Sequence, residues 1–185
     1  MPPASPERQP RHHRSIDVQV YARADGLWEL DAQLTDTKSR DVTLANGVRK
    51  AGEPIHDMVL RLVFDRDTTI VAAGSESRSV PYPGHCDDHG DAYAALVGMN
   101  LLRGFRRDVQ QRLGGTRACT HLTELTQVLP TAVVQAFAGD VIQTDPNAPQ
   151  RPFQLDGCHA LRVAGPVVHE HYPRWFRSPA STIPG

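Results

Sequence analysis

This chain has little of what most quickly assigns a function. No apolar run approaches the roughly 20 residues that span a bilayer, so nothing in the sequence reads as a transmembrane helix. Met1 to Arg14 is rich in Pro, Arg and His and lacks the apolar stretch of a secretory signal. Charge of one sign is also missing: net charge is −1 across 185 residues. Bulk attraction to nucleic acid or to a membrane is thereby excluded. There are three cysteines, an odd number that does not close a disulfide framework. No CxxC or HExxH spacing occurs and no internal repeat is visible. The expectation is a cytoplasmic protein with reduced thiols, whose partner is an unidentified small molecule or protein rather than nucleic acid or membrane.

What is present is a coincidence of types. Every cysteine has a histidine within two residues: His85-Cys86, Cys119-Thr120-His121 and Cys158-His159. Thiolate and imidazole together bind zinc or iron, or form an activated nucleophile.

Hydrophobic periodicity supplies the frame. Ile16, Val18, Val20 and Ala22 alternate with polar neighbours, Ala24-Asp25-Gly26 turns the chain, and Trp28, Leu30, Ala32 and Leu34 resume the alternation. This predicts a β-hairpin. Asn46-Gly47 offers another turn, and Met58–Phe64 with Thr69–Glu76 forms a second main hairpin about Asp65-Arg66-Asp67. Asp65 and Asp67 lack the other oxygen ligands of a calcium loop, so a solvated turn is expected.

From Asp91 the period becomes helical. Leu96, Met99, Leu102, Phe105, Val109 and Leu113 form one stripe, stopped at Gly114-Gly115. Leu122, Leu125, Leu129, Val133 and Phe137 form another, which Pro130 kinks or divides. Arg103, Arg106, Arg107 and Arg112 read as a solvated helix face. The order of elements predicts an α+β fold, two hairpins making an antiparallel sheet with two helices on one face. Its domain spans 15–140, after a disordered tail at 1–14. An irregular extension at 141–185 docks on it, Trp175-Phe176 being its anchor.

Cys119 is the foremost single residue, because it directly precedes a helix, where unpaired N–H groups favour a thiolate. His121 follows in the first turn. Cys86 lies in His85-Cys86-Asp87-Asp88-His89, of which one or two side chains can reach one ion. His56 stands just before a strand. The expected metal site is therefore His56, Cys86, Cys119 and His121, with zinc the best-suited ion and iron or an iron–sulfur cluster the alternatives. A metal-free thiol enzyme with Cys119 as nucleophile is the competing expectation. Its base is His121, or else His56 or His85 brought in by folding. A third expectation is a non-enzymatic binding module.

Arg23-Ala24-Asp25-Gly26-Leu27-Trp28-Glu29, His56-Asp57-Met58, Pro81-Tyr82 through Cys86, and Ala118-Cys119-Thr120-His121-Leu122 resemble a bacterial domain-of-unknown-function family, number 2889. The resemblance extends over about residues 11–177 and implies no activity. More distantly, 54–138 resembles the iron–sulfur cluster scaffold proteins (NifU-like or SufE-like). Asp57-Met58-Val59-Leu60, Cys86 and Cys119 stand at the scaffold's strand, loop cysteine and last cysteine. That likeness implies a shared fold and a His56, Cys86, Cys119 and His121 ligand cluster, with Asp57 as an extra donor. The scaffold's first cysteine is absent, and Ala118 stands where its histidine belongs.

Overall fold

A computed structural model describes residues 7–88 and 91–178. The chain divides between Val134 and Gln135 into two compact units. In the first, β1 (His12–Ala22), β2 (Trp28–Lys38), β5 (Pro54–Phe64) and β6 (Ile70–Ser79) form an antiparallel sheet in the order β1-β2-β5-β6. Both expected hairpins are present. Between β2 and β5 the polar stretch forms a small ribbon of its own, β3 (Val42–Leu44) paired with β4 (Gly47–Arg49). The turn between them falls beside the Asn46-Gly47 signal.

One face of the sheet is the core. Leu30, Ala32 and Leu34 of β2, and Met58, Leu60, Leu62 and Phe64 of β5, are all at most 1% exposed. Each of the Leu, Met and Phe side chains contributes about 1.5–3 kcal/mol of burial, so the alternation pins the strand register: a one-residue slip would turn every one of them to water. The opposite face is polar and laced with ion pairs, such as Arg61 to Asp31 at 2.6 Å. In the 65–69 turn the Asp65 carboxylate accepts the Thr69 N–H at 2.9 Å; Arg66 and Asp67 are exposed, while Thr68 is buried and bonded to Asn100.

The first helical stripe does not form one helix. Ala92–Leu96 is a single 3-10 turn, and α1 begins only at Phe105 and runs to Leu113. Between them Gly98 and Gly104 hold φ of +81° and +72°, a left-handed conformation that breaks a helix and that glycine adopts without a Cβ penalty. The intervening chain pairs with the start of β6 instead: Gly98 donates to Ile70 and Ile70 to Met99. A stripe of apolar residues is consistent with either arrangement; the two glycines permit the break, and the pairing with Ile70 decides it.

The second stripe is divided, as Pro130 requires. α2 (Thr120–Leu125) passes through a 3-10 turn at Thr126–Val128 into α3 (Leu129–Phe137), which runs across the division between the units. A proline at 130 has no N–H to give to the carbonyl four residues back. Leu122 and Leu125 are fully buried where α2 lies over β2 and β5.

The chain's start corrects one expectation. His12, His13 and Arg14, read as part of a disordered tail, are strand, paired with Lys38, Thr37 and Asp36. The first six residues of that tail lie outside the described ones. In the second unit, a segment expected to be irregular contains a short helix, α4 (Pro166–His171). There Trp175 donates to the Pro146 carbonyl at 3.2 Å and Arg174 to that of Ala148 at 3.1 Å, so the aromatic anchor is held within its own unit.

Candidate metal and thiol site

The core face ends in a polar row. Arg14, Asp36 and His56 are direct cross-strand partners on β1, β2 and β5. Asp36 is one step beyond Leu34 in the buried phase and is only 2% exposed. A buried carboxylate must be paired, and this one is paired four times. Arg14 donates to both oxygens through Nε and Nη2 at 2.8 Å each. His56 Nδ1 lies 3.0 Å from Oδ2, and His12 Nε2 lies 3.1 Å from Oδ1. Burial pushes the Asp36 carboxyl up, but the Arg14 bonds and charge, aided by His56, outweigh it and hold it below the usual carboxylate range.

The carboxylate fixes the imidazole. Because ionised Asp36 can only accept, His56 must carry its proton on Nδ1, which leaves Nε2 with a free lone pair. Burial lowers the His56 pKa more than Asp36 raises it, so the ring is held neutral below its ordinary range.

Helix α2 brings the second imidazole. His121 stacks on His56 with ring centroids 3.8 Å apart and planes tilted by 33°. Its pKa is also lowered, first by burial, then by repulsion from His56 should both rings take up a proton, and then by the charge of Arg14. Three further bonds hold α2 in this position. Glu124 accepts from Arg14 at 2.7 Å. The buried Tyr93 hydroxyl donates to the Cys119 carbonyl at 2.8 Å and meets Thr123 Oγ1 at 3.1 Å. Cys119 is the N-cap of α2, as its place in the sequence implied, and its thiol faces the Met58 sulfur at 3.8 Å.

The loop after β6 completes the surroundings. Its backbone folds over Tyr82, whose carbonyl accepts the N–H groups of both His85 and Cys86. His56, Cys86, Cys119 and His121 all line one cavity of about 650 Å³, together with Met58 and His85. Among the described residues, the group whose donor atoms lie within 4.8 Å of one another is Asp36, His56 and His121. The two cysteines share the cavity but stand outside that close group. His89 lies outside the described residues.

Asp57 is not an extra donor: strand alternation sends it to the opposite face from His56, where it accepts from Gln33 at 2.6 Å. Cys158 is exposed in the second unit, and His159 there contacts Arg162. Asp36, Arg14 and His12 were missed. Their signal was the alternation itself: continued back from Ile16 it reaches Arg14 and His12, and continued past Leu34 it reaches Asp36.

The fold and this cluster define an α+β protein whose antiparallel sheet carries a carboxylate-bound histidine, stacked on a second histidine from α2 and beside thiols. The chain belongs to the family described as protein of unknown function (DUF2889), whose model matches residues 12–135. The matched region starts at His12 and takes in every residue of the cluster, but ends well before residue 177. No curated protein and no solved structure matches the chain.

Proposed function

We propose that the chain binds a transition-metal ion, zinc foremost, with His56 and His121 as nitrogen ligands and Cys119 and Cys86 as the thiolates that complete the set. The observation that carries this reading is the bond from His56 Nδ1 to a buried carboxylate beside a second neutral imidazole. A carboxylate behind a histidine is the usual outer support of a zinc ligand, fixing its tautomer and raising its basicity. Asp36 fills that supporting role rather than a ligand's, because its roughly four acceptor positions are already used by Arg14, His56 and His12. The thiols come from loop and helix-entry positions that line the same cavity as the imidazoles. Two thiolates and two imidazoles make a closed tetrahedral structural site; a water in place of one thiolate makes an open one. An iron centre, a distant kinship with the iron–sulfur scaffolds and a cytoplasmic setting that keeps the thiols reduced belong to the same reading. Elemental analysis of the purified chain after metal-replete expression is expected to give close to one metal per chain; less than roughly 0.2 would refute it.

A second reading is a metal-free thiol enzyme. Asp36 orienting His56 is also the support a general base needs, and Cys119 lines the same cavity. Here His56 replaces His121 as the base, since residues two apart on a helix do not face each other. Iodoacetamide labelling of Cys119 in metal-free protein at mildly acidic pH is then faster than that of a free cysteine, and slower in His56→Ala. A rate that tracks an ordinary thiol removes this reading.

A further inference from the structure

Strand β5 and the entry of α2 meet through two side-chain pairs, one of nitrogen donors and one of sulfur donors. His56 stacks on His121 at 3.8 Å, and Met58 Sδ meets Cys119 Sγ at 3.8 Å. His56 and Met58 are two residues apart on one strand and so share a face, their Cα atoms about 6.6 Å apart. Cys119 and His121 are likewise two residues apart. The strand and the helix entry therefore each contribute one nitrogen and one sulfur to the same cavity.

We infer that this site takes copper(I), with the Met58 thioether as a ligand beside Cys119, His56 and His121. The inference rests on the metal reading above and names a second ion for the same site. Met58 occupies the register position between the polar row and the hydrocarbon core, opposite Leu34. The next inward residues of β5 are Leu60, Leu62 and Phe64, with no donor atoms. A thioether thus stands on β5 two residues from His56, and it meets the Cys119 thiol at 3.8 Å.

Ligand chemistry separates the two ions. Zinc takes thiolate, imidazole and carboxylate, and a thioether adds little to it. Copper(I) is soft and is selected by thiolate and thioether sulfur. Because the Cys119 thiol stands outside the close group of donors, binding draws it, with the Met58 sulfur it meets at 3.8 Å, toward the two rings.

The test uses the full chain, metal-free and anaerobic. Copper(I) affinity is read by competition with bathocuproine disulfonate, and zinc affinity by competition with a chromophoric zinc chelator, for the wild type, Met58→Leu and His121→Ala. The expected result is one copper(I) per chain, weakened by at least about tenfold in Met58→Leu with zinc affinity within about twofold of wild type. His121→Ala weakens both ions. Unchanged copper affinity in Met58→Leu overturns the inference while the metal reading stands; failure of the wild type to bind either ion overturns the metal reading itself. Leucine is close to methionine in volume. Should that variant nevertheless misfold, X-ray absorption on copper-loaded chain labelled with selenomethionine decides the matter. Selenium in the first shell of copper supports the inference, and its absence overturns it.

Discussion

Replacing Asp36 with alanine is expected to destabilise the fold by about 3 kcal/mol, with the melting temperature lower by about 6–12 °C for a chain of this size. The substitution removes the acceptor for His56, for His12 and for both Nε and Nη2 of Arg14 in one step. Breaking a buried ion pair on one side typically costs 3–5 kcal/mol, because the other charge stays behind unpaired. The low end applies here, since Arg14 is partly exposed and keeps Glu124. Urea denaturation at neutral pH measures the effect, and a loss under about 1 kcal/mol would show that the polar row is not the anchor its burial suggests.

The pH dependence of the wild type follows from the same groups. His56 and His121 have folded pKa values below their unfolded ones. In the window just under about 6.5 the unfolded chain therefore binds more protons, and stability falls as pH falls. Their contribution is complete above that unfolded value. Asp36, also depressed, contributes stability that is present above about 3.9 and is lost only in stronger acid, as pH drops through its folded value. Asp36→Ala should therefore lack only the loss in strong acid, while the loss just under about 6.5 from His56 and His121 persists, because Asp36 opposes rather than causes the lowering of both histidines.

Replacing His121 with alanine is expected to weaken zinc binding by about a hundredfold or more. Structural zinc sites bind with roughly 10–16 kcal/mol spread over four ligands, so one ligand accounts for about 3 kcal/mol, and 1.4 kcal/mol is tenfold. The fold should change little, since His121 is half-buried at a cavity rim and the core contacts of α2 are made by Leu122 and Leu125. Competition with a chromophoric chelator reads the affinity, and circular dichroism reads the fold. Unchanged affinity would remove His121 from the ligand set and with it the significance of the ring stack.

The frame was legible from the sequence for a simple reason. Alternation at Leu30, Ala32 and Leu34, and again at Met58, Leu60, Leu62 and Phe64, allows one buried face and one register. Pro130 divided its helix because a missing N–H is a local fact. The position of Cys119 before α2 followed from local punctuation in the same way. The glycines at 98 and 104 were equally visible, but the apolar stripe around them satisfies a helix and an edge segment alike. Only the pairing of Gly98, Ile70 and Met99 chose between these.

The site lay beyond such reasoning where it depended on charge. In a sequence, Arg14 looks like part of a polar tail and Asp36 like the start of a polar loop. Local pattern treats a charge as a sign of solvent. What reverses that sign is the partner brought from another strand: Arg14 and Asp36 are 22 residues apart, Asp36 and His56 20, and Arg14 and Glu124 110. The sequence by itself determined the sheet, its register and the placing of Cys119 and His121 at a helix entry, because each follows from neighbours along the chain. Tertiary structure alone decided that a buried carboxylate orients His56 and that Met58 meets Cys119, because such a carboxylate is stable only once the chain has closed around it.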